Sequence, residues 1–77
     1  MKGFCILAVT KVIPDKHIIC GIPENEEDTF PFVYPDSIED YISKLEPGDL
    51  CHFQFAILKK GYLSIIPDTF RGYTKHD

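Results

Sequence analysis

Apolar and polar positions alternate along most of this chain, the period of strands with one buried face, and only one segment switches to a helical period. Over 37–45, Ile38, Tyr41, Ile42 and Leu45 recur at i, i+3, i+4 and i+7, an apolar stripe on one helical face. Ser37 stands before the stripe as a capping residue with Asp40 three positions on, and Pro47-Gly48 ends it. The remaining pattern predicts five strands. Residues 4–13 are rich in β-branched and aromatic side chains and end at Pro14-Asp15. Residues 17–22 form a short second strand. Residues 29–34 form a third, with Phe30, Phe32 and Tyr34 on one phase. Pro31 marks that strand as an edge or a bulge. In the fourth, 50–58, Cys51, Phe53, Phe55 and Ile57 alternate with His52, Gln54 and Ala56. Lys59-Lys60-Gly61 turns the chain into a fifth strand over 62–66.

Three strands, one short helix and two strands are the element order of an all-β, five-stranded OB-like barrel. Residues 1–68 are expected to form one such domain, with the helix plugging one end through Ile38, Tyr41, Ile42 and Leu45. Residues 69–77 are expected to be a polar C-terminal tail that frays. Apolar residues make up 44% of the chain and charged ones 26%, a composition that buries a core and excludes disorder. No apolar run reaches the roughly 18 residues that span a bilayer, so no membrane role is expected.

The three cysteines, Cys5, Cys20 and Cys51, have no framework spacing, which fits a reducing compartment, cytoplasmic or nuclear. A zinc site from His17, Cys20, Cys51 and His52 is rejected, because neighbours in a strand point to opposite faces. No metal or other cofactor is expected. Catalysis is not expected either: the carboxylates cluster in loops, no serine or cysteine stands in a nucleophile motif, and the glycines are scattered.

Charge changes the picture, because it is sorted along the chain. Residues 1–22 carry three lysines and one aspartate, and residues 23–49 nine acids and one lysine. Residues 50–77 carry three lysines, one arginine and two aspartates. The net charge of −4 therefore belongs to the middle of the chain. In an OB barrel the ligand groove lies on strands 2 and 3 between the 1–2 and 4–5 loops. Both loops are basic here. Lys11, Lys16, Lys59 and Lys60 are candidate phosphate contacts, and His17, Phe32, Tyr34 and Tyr62 are candidate stacking residues.

Residues 16–67 resemble the cold-shock domain family. Lys16-His17-Ile18-Ile19-Cys20-Gly21-Ile22-Pro23-Glu24 is similar to its strand-2 motif, and Pro31-Phe32-Val33-Tyr34 to its strand-3 motif. Leu45-Glu46-Pro47-Gly48 is similar to the turn into strand 4. The resemblance implies a small barrel that stacks the bases of single strands. Ile18 and Cys20 stand where the family has base-stacking phenylalanines, and the chain has no tryptophan. Each stacked base contributes about 1–3 kcal/mol, so fewer rings mean weaker binding.

The expected function is thus a non-catalytic binding module for single-stranded RNA or DNA. The alternative is a protein-interaction adaptor. It would use the acidic residues Glu24, Glu26, Glu27 and Asp28, or an exposed strand edge such as that of strand 3, to meet a protein partner.

Overall fold

The first strand, β1 (Lys2–Ile13), is long enough to serve two neighbours in turn. Lys2 to Ala8 pair antiparallel with β4 (Leu50–Ile57), and Leu7 to Ile13 pair antiparallel with β2 (Ile18–Pro23). The register shifts between Val9 and Lys11. Such a bulge bends and twists the strand, which lets β1 curl around the barrel. Thr10 Oγ1 donates to the Cys20 carbonyl at 3.2 Å beside the irregularity. This computed structural model describes residues 2–58 and 61–73.

Strand β2 pairs with β3 (Phe30–Val33), β3 pairs in parallel with β5 (Leu63–Ile65), and β5 pairs with β4. The β1–β4 pairing closes the ring. The architecture is a closed five-stranded mixed barrel of the OB-like kind, with one short helix, α1 (Glu39–Ile42), between β3 and β4. A sixth strand, β6 (Arg71–Tyr73), lies on β4 beyond β5.

The core follows the alternation seen in the sequence. Leu7, Val9, Ile19, Phe32, Phe53 and Ile65 point inward and are buried. The Phe32 and Phe53 rings meet edge to face at 5.0 Å, a favoured aromatic arrangement. Removing such a ring from water stabilises the fold by roughly 1.5–3 kcal/mol. Gly21 also faces inward. A Cβ there would lie 2.5 Å from the Ala8 carbonyl oxygen, so the β1–β2 approach requires glycine.

Three expectations are corrected. Strand 3 is not an edge, since β2 and β5 flank it. Tyr34 N donates to the His17 carbonyl, so residues 30, 32 and 34 turn their backbone groups to β2. Pro31 turns the place of its missing N–H toward the start of β5, where the ladder has not begun, so no β2–β3 bond is lost.

The helical segment opens as a 3-10 turn, Asp36–Ile38, and Ser37 makes no capping bond. Ile38, Ile42 and Leu45 are buried, but Tyr41 is 65% exposed. At about 3.6 residues per turn the buried stripe centres on Ile38, Ile42 and Leu45, and Tyr41 falls on its flank, facing solvent.

The segment from Thr69 to Tyr73 is not a fraying tail. A 3-10 turn, Pro67–Thr69, is pinned by Gln54 N donating to Thr69 Oγ1 at 2.8 Å. Phe70 enters the core beside Phe53, and β6 pairs with Leu50 to His52. Residues 74–77 of the expected tail lie outside the described residues.

Candidate binding surface

The outer face of β1, β2, β3 and β5 is built from two cross-strand rows. In one, Lys11 stands beside Cys20 and Cys20 beside Pro31. Tyr62 precedes Leu63, the partner of Phe32, and so continues that row. In the other, Ile13, Ile18, Val33, Ser64 and Ala56 follow one another across the sheet. The middle of this face, at Ile13, Ile18, Cys20, Pro31 and Val33, is apolar, with Lys11, Tyr62 and Ser64 around it.

Phe32 and Tyr34, expected as stacking platforms, lie inside the barrel at 1% and 2% exposure. The cause is register: Phe32 stands opposite Ile19, on the inward parity of both strands. Neither ring can offer a face to a base. The alternation placed the two aromatics on one phase but left undetermined which side of the sheet that phase faced.

His17 is held in a cluster at the 1–2 turn. It follows the 3-10 turn Pro14–Lys16 in the left-handed conformation, with φ of 53°. Its Nε2 lies 2.9 Å from Asp36 Oδ1 and 3.9 Å from Glu39 Oε1. Its ring packs at 5.3 Å against Tyr34, whose hydroxyl donates to Glu39 Oε2 at 2.7 Å. Burial first, and then that bond and the Glu39 and Asp36 charges, push the Tyr34 phenol well above its usual range. The His17 ring is thereby held against Tyr34 and the two carboxylates.

Of the remaining candidates, Lys11, Lys16 and Tyr62 are exposed. Lys59 and Lys60 lie outside the described residues. Glu24, Glu26, Glu27 and Asp28 are all exposed. Their loop is anchored by Glu24 N donating to the Ile6 carbonyl at 2.8 Å. It leads directly into Phe30 and so opens at the end of β3 where Tyr62 sits. The acidic residues therefore neighbour one flank of the expected groove, although they are sorted apart from the lysines along the chain.

The sequence reading missed a second surface. A cleft of about 630 Å³ runs between the helical segment and β6, with Ile38, Leu45 and Phe70 among its lining and Tyr41, Lys44 and Arg71 around it. The signal was Phe70 itself, a large apolar residue in a stretch otherwise read as polar. Among the described residues no group of His, Cys, Asp and Glu is arranged to hold a metal ion. Burial pushes the Cys5 thiol up to about 11. Burial, with the Cys5 and Asp49 charges, pushes Cys51 up to about 12, so both are poor nucleophiles at neutral pH. No family model, curated protein or solved structure matches the chain.

Proposed function

We propose that the chain is a non-catalytic binding barrel whose ligand is a protein partner, met on the outer face of β1, β2 and β3. One observation carries this reading: Ile13, Ile18, Cys20, Pro31 and Val33 form an apolar centre of that face, and two of the four rings expected to stack bases, Phe32 and Tyr34, are inside. An apolar patch of this kind suits the centre of a protein interface, while single strands bind best on several aromatic platforms. The exposed acids Glu24, Glu26, Glu27 and Asp28 at one end would steer a partner with a basic rim.

A second reading, single-stranded nucleic acid through a cold-shock-like groove, is favoured by Lys11, Lys16 and Tyr62, which stand exposed around the same face. The test combines two measurements. Wild-type protein and an Ile18→Glu/Val33→Glu variant are used to capture proteins from source extract. Oligo-dT and oligo-U are titrated at about 50 mM salt, where phosphate contacts are strong. The protein reading expects a partner lost with the variant and no amide shifts with either oligomer. Capture that ignores the variant, with oligomer shifts at Lys11, Lys16 and Tyr62, replaces it with the nucleic-acid reading.

A further inference from the structure

We propose that the cleft between β6 and the helical segment binds an extended acidic peptide, which adds as a strand to the open edge of β6. The proposal rests on the reading of the chain as a protein-binding barrel and concerns a different surface.

Backbone geometry supplies the edge. Gln54 turns both its N–H and its carbonyl to the Ile66–Thr69 side, at 2.8 Å from Thr69 Oγ1 and 2.9 Å from Ile66 N. Backbone groups alternate sides along an antiparallel strand, so Leu50 and His52 turn theirs toward Tyr73 and Arg71. Gly72, between those two, therefore turns its N–H and carbonyl away from β4. Among the described residues β6 has no strand partner on that side, and its Arg71 and Gly72 line the cleft. A donor and an acceptor on one residue are what an added strand engages.

The floor and rim supply the specificity. Ile38, Leu45 and Phe70 are buried side chains lining the cleft, an apolar seat for every second residue of a strand. A Cβ on Gly72 would lie 3.3 Å from Leu45 Cδ2 and 3.5 Å from Phe70 Cε2, so the glycine keeps the seat open. Arg71 Nη1 donates to the Phe70 carbonyl at 2.7 Å and the Asp68 carbonyl at 3.4 Å, which fixes the guanidinium beside the edge. Among the described residues neither Arg71 nor Lys44 forms an ion pair. The cleft is lined by these two cations and one carboxylate, Asp68, on a chain of net charge −4. That local excess of positive charge selects carboxylates on the incoming strand.

The experiment titrates the full 77-residue chain with a capped peptide of alternating glutamate and valine, read by amide shifts. Saturable shifts at Phe70 and Gly72 and over residues 38–45 are expected. Arg71→Glu and Lys44→Glu, both at exposed positions, should each weaken binding at least tenfold. Gly72→Val should abolish it. A lysine–valine peptide that binds equally, or the absence of saturable shifts in the wild type, overturns the proposal. Shifts confined to residues 18–20, Phe32 and Val33 overturn it too while supporting the outer-face reading, so the two fail separately.

Discussion

Tyr34 donates its phenolic hydrogen to Glu39 Oε2 at 2.7 Å, and this bond ties the end of β3 to the first turn of α1 across Pro35. The ring is buried and the carboxylate half-buried, so the bond is partly shielded from water. Tyr34→Phe should cost about 1.5–3 kcal/mol, the range for hydrogen bonds to charged groups. Urea denaturation measures it. Glu39→Gln, which keeps an acceptor without the charge, should cost less.

Alkaline pH should unfold the protein early. The Cys5 and Cys51 thiols and the Tyr34 phenol all have raised folded-state values, to about 11 and about 12 for the thiols. Above the ordinary thiol range the unfolded chain releases these protons while the folded chain keeps them. Stability then falls as pH rises, by at most about 1.4 kcal/mol per unit for each group. The contribution is fully present below pH 9.0, the ordinary thiol value, and is lost between there and the folded values. Chemical denaturation from pH 7 upward should show a plateau and then a decline. A Cys5→Ala/Cys51→Ala variant should decline less steeply between about pH 9 and 11.

Phe70→Ala should destabilise the barrel by about 3 kcal/mol or more, because it empties a core site next to Phe53. Thermal or urea melts read the effect directly. A loss under about 0.5 kcal/mol, ordinary for a surface position, would show that the ring does not hold β6 to the barrel.

His17 should reveal backbone strain through a pair of variants. His17→Ala and His17→Gly both remove the Asp36 contact and the ring on Tyr34. Only glycine relaxes the left-handed φ of 53°. The glycine variant should therefore be the more stable of the two by about 1 kcal/mol, read from their denaturation midpoints. Equal midpoints would mean that the turn carries no such strain.

The barrel was legible because strand alternation is a local property, and the break points at Pro14, Pro35 and Pro67 stand in the sequence as written. The side faced by each alternating set was not local. Phe32 and Tyr34 share a phase in any strand, and only the register against Ile19 and His17 turns that phase inward. Tyr41 fits the helical stripe by spacing, yet it lies on the stripe's flank, and spacing alone does not say how wide a stripe the barrel covers. Thr69 to Tyr73 read as tail because three paired residues carry no periodicity of their own. Their place depends on the free flank of β4 that β5 leaves uncovered.

The parallel pairing of β3 with β5 has a mechanical consequence. It is registered through only Phe32–Leu63 and Val33–Ser64, whereas β1 and β4 are joined through seven residue pairs. The ring is thus two antiparallel sheets joined by one long seam and one short one. Local opening should start at the short seam, where the fewest backbone bonds must break. The barrel would then unroll into a curved sheet still held along β1 and β4. Amides between β3 and β5 should accordingly exchange with solvent well before those of Cys5, Leu7 and Phe53.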